Sequence, residues 1–374
     1  MSEAASGPLA GVRVLDLAGE AGAFVGRALA ELGADVIRAE GGPDRIRDRQ
    51  PFLGGVAGPE RSLYHLHFNA GKRSIELDPQ AAGGQSALRA LAEAADLVVT
   101  TPPDGEPALR DLGPVRAANP GLIVLALTPY APDSPDRGPG SDLTAAAAGG
   151  LMYLNGFPDG PPLRPGAEQG HHMGALVGLA TAVLALAARQ RDPGRRGHLV
   201  EVALQEAVSM ATLQTANANM LTWHGLVPRR RGLTGPRGER SLFECADGAW
   251  ISFTVPLGAP ALWDAFTAWV AELGIESPYA AAEWGDPAFR FEHAAVTTAV
   301  IDQLCRRYDR DELFTEGQRR RMLAMPASTA ADLAGSEHLA QRSFFAATPH
   351  EHLGRDLTDV GPPYRFSATP ARLP

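Results

Sequence analysis

Cysteine is scarce: Cys245 and Cys305 are the only two in 374 residues, and they stand far apart. Two thiols so placed build neither a disulfide framework nor a cysteine-rich metal site, and the usage fits a reducing cytosol. The sequence has no G-x-x-x-x-G-K-[ST] loop, no H-E-x-x-H and no C-x-x-C, so phosphoryl transfer and zinc hydrolysis lack their usual signatures. The opening MSEAASGPLAG has no basic start followed by an apolar core, so no export is expected and a cytoplasmic location is. The longest mostly apolar run, Met173 to Ala188, falls short of the ~20 residues a bilayer requires and reads as a buried helix. Nor is there an excess of positive charge. A net charge of -9 argues against a general nucleic-acid surface and leaves only local basic clusters to meet phosphates. What is present, 45% hydrophobic and 21% charged residues, suits a soluble protein with two domains and a sizeable core.

The chain is organised around the stretch from Pro161 to Val202, which holds a turn, His171 and His172, a helix of small apolar residues, and a basic glycine-containing loop leading into a strand. Such a helix wants burial on all sides, which makes polar groups at its N-terminus site candidates. Before it, Val12 to Leu17 reads as a strand, Phe24 to Leu32 as a helix with Gly33 as its cap, and Ala34 to Glu40 as a second strand. That βαβ opening favours a parallel sheet with its site at the carboxyl ends of the strands. Strand-like Ser74 to Leu77, helical Gly84 to Ala94, and strands at Asp96 to Thr100 and Leu122 to Leu127 continue the alternation of an α/β domain. A helix over roughly Gln205 to Trp223 precedes a composition break, VPRRRGLTGPRGER, taken as the domain boundary. Strand character around the turn at Asp247 and Gly248, with helices at Pro260 to Leu273 and Ala294 to Arg307, gives a smaller α+β unit.

Gly19, Gly22 and Gly26 do not have G-x-G-x-x-G spacing, and Glu20 sets a carboxylate where a pyrophosphate belongs. A tight turn is the simpler reading, and an NAD-dependent oxidoreductase fails on this point. The pairs His65/His67 and His350/His352 share a face if they lie on strands, but no third ligand is in register; surface histidines are expected and no metal. Arg38, the turn from Asn69 through Lys72 to Arg73, Arg137 and the Arg195/Arg196 loop put positive charge around the sheet. Each reads singly as solvated charge, and together as a seat for an anionic cofactor with several phosphates. At a helix start, His171 and His172 are disfavoured as imidazolium, and a neutral imidazole is a base or nucleophile near pH 7. A capping or packing role is equally open.

In sequence order, further blocks resemble the class III (CaiB/BaiF-type) CoA-transferases. LGADVIRAE from Leu32 to Glu40 is similar to that family's LGADVIKVE, and Asn69 to Asp78 to its N-x-x-K-R-S-x-x-L-D. Asp142-Leu143 with Gly149 to Met152, and Gly156 to Leu163, match two more blocks. Gly194 to Val202 is similar to TGRGQxVDV with one residue inserted, and Pro362 to Pro370 to the closing PFRFSxTP.

The resemblance implies an α/β fold with a Rossmann-like large domain built from both chain ends, residues 1–225 and a return segment 321–374, and a small domain at 226–320. It implies an interlocked dimer, coenzyme A or an acyl-CoA thioester as substrate, a carboxylic acid as possible acceptor, and no covalently bound cofactor, nucleic acid or membrane. Arg38, Asn69, Lys72, Arg73, Arg110 and Arg137 become the candidate CoA contacts. In the family an aspartate in a G-D-x-x-x-G segment attacks the acyl-CoA carbonyl and forms a mixed anhydride. This chain departs there: laid against VGDHMTGL, it has His171 in the aspartate's position and His172 next to it, with Glu168 three residues earlier. The family's ENFRPG segment is replaced by Thr100 to Gly105, and the histidine of the racemase branch by Ser141. Three readings follow: transfer or proton chemistry moved to histidine, an acyl-CoA hydrolase or isomerase, or a catalytically inactive CoA-binding subunit pairing with an active paralogue.

Overall fold

The computed structural model describes residues 7–371 apart from 42–45, 59, 79–80, 103–112, 132, 135–139, 214–215 and 236. The first half alternates as its pattern predicts: β1 (Arg13–Leu17), α1 (Ala23–Glu31), β2 (Asp35–Glu40), α2 (Leu63–Phe68), β3 (Arg73–Glu76), α3 (Ala82–Ala94), β4 (Leu97–Thr100), α4 (Gly113–Ala118) and β5 (Ile123–Thr128). Next come α5 (Asp142–Ala148), α6 (Leu151–Leu154), α7 (Gln169–Arg191), β6 (Leu199–Ala203), α8 (Leu204–Leu213) and α9 (Ala216–His224). The helix expected over Gln205 to Trp223 is represented by α8 and α9, and residues 214–215 lie outside the described residues.

The six strands pair in parallel in the order β3-β2-β1-β4-β5-β6, that of a doubly wound nucleotide-binding sheet. Every residue of β4 and β5 is buried, as strands covered on both faces must be. Alternate residues feed two cores. Val14, Leu97, Val99, Ile123 and Leu125 face one that includes Val25, Leu29 and Ala182, while Leu15, Val98 and Val124 face another with Ala92 and Val115. Chain order reverses between β1 and β4, and there the Gly19 amide donates to Thr101 Oγ1 at 2.6 Å.

Helix α7 runs back toward the start of β6, so its N-terminus lies at the carboxyl ends of the strands. Its glycines allow close packing: a Cβ on Gly174 would stand 2.2 Å from Leu204, and one on Gly178 would press on Leu125, Leu127 and Val25. At 23 residues it is longer than the apolar run read from the sequence, and by length and composition alone long and apolar enough to cross a bilayer. The expected burial on all sides does not hold in the single chain, because Leu176 and Leu184 are exposed.

The chain forms two compact units: Met1–Tyr153, Arg164–Pro228 and His338–Pro374 in one, Leu154–Leu163 and Arg229–Glu337 in the other. In the second, β7 (Leu242–Glu244), β8 (Trp250–Thr254) and β9 (Leu323–Pro326) form an antiparallel sheet. With them are α10 (Pro260–Glu272), α11 (Pro287–Glu292), α12 (Ala294–Cys305), α13 (Arg310–Arg319) and α14 (Ala330–Ala334), around a core that includes Phe243, Phe253, Trp263, Phe266 and Trp269.

In the first unit, α15 (Glu337–Gln341) leads from Glu337 into the hairpin β10 (Phe345–His350) and β11 (Arg355–Val360), which adds no strand to the parallel sheet. The hairpin is tied in by Arg27, a buried guanidinium that donates to the Val360 carbonyl, to the His67 carbonyl at 2.8 Å and to Glu31 Oε1 at 2.8 Å.

Candidate active site

The turn entering α7 is left-handed at two consecutive non-glycine residues, Ala167 (φ 60°) and Glu168 (φ 52°). Such backbone costs on the order of 1–3 kcal/mol per residue and persists only where its surroundings enforce it. Here Arg49 enforces it. Its guanidinium forms two bonds to the Glu168 carboxylate, one of them 3.1 Å from Nη1 to Oε2, and pairs with Glu20 at 2.9 Å. It also lies 4.2 Å over the Tyr64 ring. The Tyr64 hydroxyl donates to Glu168 Oε2 at 3.0 Å, and burial pushes its pKa to about 12, so it keeps that proton.

A second carboxylate closes the helix start. Asp142 follows Ser141, whose side chain and Thr144 form a capping box that fixes the first turn of α5. From there Asp142 Oδ1 accepts from the His171 amide at 3.1 Å, and Oδ2 lies 3.3 Å from Arg164 Nη2. It satisfies an amide that the first turn of α7 leaves open, and its charge is favoured at that end of the helix dipole. Gly170 is wedged beneath it: a Cβ there would touch Asp142 Oδ1 at 3.0 Å.

His171 is 9% exposed, and its Nδ1 is buried without a hydrogen-bond partner among the described residues. Burial holds its pKa below the ordinary value, opposed by Asp142 and reinforced by Arg49, His172 and Arg164. His172 is also lowered, chiefly by burial, and its ring stacks on Phe68 at 5.8 Å. Both are neutral at pH 7. Arg49→Gln is expected to release Glu168 and let the turn relax. The relaxed turn should lower the melting temperature, read by circular dichroism.

Most of the described residues named from the sequence as CoA contacts hold protein partners. Lys72 is 1% exposed and spends its ammonium on Asp16 Oδ2 at 2.7 Å, the Ala23 carbonyl at 2.8 Å and Asn69 Oδ1 at 2.8 Å. Asn69 also donates to His65 Nδ1 at 3.1 Å. Arg38 is buried beside Glu40 and donates to the Ala18 carbonyl at 2.8 Å. Arg73 forks onto Asp35 at the opposite, amino end of the strands, and Arg196 pairs with Asp192 after the C-terminus of α7. Arg110 and Arg137 lie outside the described residues.

The histidine pairs also differ from expectation. His65 and His67 are on helix α2, not a strand; His65 is buried, and burial lowers the pKa of His67 to about 4. His350 ends β10 and lies 3.5 Å from Asp359. Sequence reasoning misses Arg49, Arg164 and Asp142 as site residues, although Asp142 stands in a block matched to the family.

The sequence matches CoA-transferase family III over residues 9–374. It is 33% identical, over 95% of this chain and 87% of the relative, to the succinyl-CoA:(R)-benzylsuccinate CoA-transferase subunit BbsE of Thauera aromatica. It is 30% identical, over 97% and 91%, to the succinyl-CoA:mesaconate CoA-transferase of Haloarcula marismortui, and 28% identical, over 98% and 89%, to the succinyl-CoA–L-malate CoA-transferase beta subunit of Chloroflexus aurantiacus. Its fold superposes on a CaiB/BaiF family protein from Brucella suis with a TM-score of 0.84 at 26% identity, covering 98% of this chain and 95% of that one. A parallel sheet in nucleotide-binding order, a helix start carrying the candidate reacting group and a match along nearly the whole sequence agree: this chain belongs to CoA-transferase family III, the CaiB/BaiF family.

Proposed function

We propose that this protein binds acyl-CoA thioesters at the carboxyl end of its parallel sheet and handles them through His171. The observation that carries this reading is the imidazole itself, at the start of α7, neutral and with an unpartnered Nδ1. A ring nitrogen adding to the thioester carbonyl forms an acyl-imidazole while the carbon–sulfur bond breaks, and CoA leaves as thiolate and takes up the proton released from the ring's other nitrogen. Water takes the acyl group readily from that intermediate, so hydrolysis or α-proton transfer is easier for this site than clean transfer to an acid. The crevice between β1 and β4 is the natural seat for CoA. Of the CoA contacts named from the sequence, Arg110 and Arg137 remain the proposed phosphate contacts, because Asn69, Lys72 and Arg73 already hold protein partners and Arg38 is buried. Relatives whose names carry succinyl-CoA favour a dicarboxylic acyl group. The setting is cytoplasmic.

A second reading rests on a different observation. Both carboxylates at the helix start are committed, Asp142 to the His171 amide and Glu168 to Arg49, and two relatives are named as subunits. The exposed Leu176, Leu184, Met210 and Trp223 supply apolar surface for a partner. In this reading the chain is the CoA-binding, non-nucleophilic subunit beside an aspartate-bearing paralogue; in the first it forms a homodimer. Incubation with a panel of acyl-CoAs, followed by free thiol and by intact mass, separates the two. Thiol release or an acyl adduct on this chain alone supports the first, and tight CoA binding without either supports the second.

A further inference from the structure

Arg164 has no part in the chemistry proposed above, yet it is held at the mouth of the site. Its side chain is 49% exposed, while the two carboxylates it approaches, Asp142 at 3.3 Å and Glu168 at 3.9 Å, are 7% and 11% exposed. Both approaches use Nη2 alone; among the described residues Nε and Nη1 have no protein partner. Neither carboxylate depends on it, since the His171 amide answers Asp142, and Arg49 with Tyr64 answers Glu168. A surface arginine kept only for an ion pair would contribute little to stability. This one is instead anchored at one nitrogen on a half-exposed side chain, an arrangement that suits an incoming carboxylate.

We propose that Arg164 is a specificity-determining residue: it receives the free carboxylate of a dicarboxylic acyl group while His171 meets the thioester carbonyl. This rests on the reading that acyl-CoA reacts at the start of α7. The two oxygens of Asp142 set the spacing, Oδ1 on the His171 amide and Oδ2 on Arg164, so the guanidinium and the first turn of α7 flank a single carboxylate. In a succinyl group three carbon–carbon bonds separate the two ends, a reach of at most ~4.5 Å, so its carboxylate and its thioester carbonyl must be met by neighbouring groups. Remote binding energy of this kind orients the reacting carbonyl.

The test titrates the full-length protein with CoA and with non-hydrolysable thioether analogues of succinyl-CoA and butyryl-CoA, which exchange a carboxylate for a methyl at equal chain length. The wild type is expected to prefer the succinyl analogue by about tenfold or more; Arg164→Gln abolishes the preference with CoA affinity unchanged, and Arg164→Lys keeps part of it. No preference in the wild type, or an equal preference in Arg164→Gln, overturns the assignment. So does a variant weakened only toward free succinate, since the carboxylate would then be the acceptor's. Wild-type protein that fails to bind CoA itself overturns the underlying reading. Melting curves accompany each titration, and if Arg164→Gln is unfolded the lysine variant decides.

Discussion

His171→Ala should lower acyl-CoA thioester turnover by about 10²–10⁴-fold, the contribution of a positioned base or nucleophile, with CoA affinity and melting temperature close to wild type. Among the described residues the Nδ1 removed has no hydrogen-bond partner, and the Asp142 cap reaches the backbone amide of residue 171, so the helix start survives the change. The pH dependence has a fixed sign. Burial sets the folded pKa below the ordinary histidine value of 6.5, and the neutral ring is the reactive form. Activity therefore persists as pH falls through 6.5 and declines only in more acidic solution. His171→Asp is the complementary experiment. A carboxylate there gains from the α7 dipole and is opposed by Asp142, and it is expected to shift the outcome from thiol release toward acyl transfer with a mass adduct on residue 171. A silent, folded His171→Asp variant would count against an eroded transferase site and favour the subunit reading.

Some of this was legible in the sequence because it depends on local pattern. Strands buried on both faces must be continuous apolar runs, so β4 and β5 announce themselves, and Gly33 ends α1 where the chain needs a positive φ of 94°. The surroundings of His171 were not legible, because they come from distant stretches. Arg49 meets Glu168 across 119 residues, and Asp142 meets the His171 amide across 29. No periodicity encodes such pairings. His65 and His67 were open to a strand reading because alternation over four residues also fits one helical turn; the decisive signal was Ser62, whose side chain accepts from the His65 amide and starts α2. The basic turn misled for a related reason. A run such as Asn69 to Arg73 looks solvated, and whether its lysine points outward depends on Asp16, in a different strand.

Lys72→Met is accordingly expected to destabilise the first unit by roughly 3–5 kcal/mol, the cost of leaving one charge of a buried pair alone. Asp16 and Lys72 are 0% and 1% exposed, and burial holds the lysine pKa below its ordinary value against the pull of Asp16. Without the ammonium, Asp16 keeps, among the described residues, only the Ala18 amide, at 2.9 Å, and the Ala23 carbonyl and Asn69 lose a donor. Space for water to replace it is slight, since a Cβ on Gly26 would already stand 2.3 Å from Asp16 and 2.9 Å from the lysine. Urea unfolding of Lys72→Met beside the double variant Asp16→Asn/Lys72→Met measures the effect, with partial recovery expected once both charges are gone. The same proteins, titrated with CoA under conditions where they remain folded, decide the role first read from sequence. A lysine holding a CoA phosphate would weaken binding and spare stability; a lysine holding the end of β1 against the turn before β3 does the reverse, and the latter is the expected result.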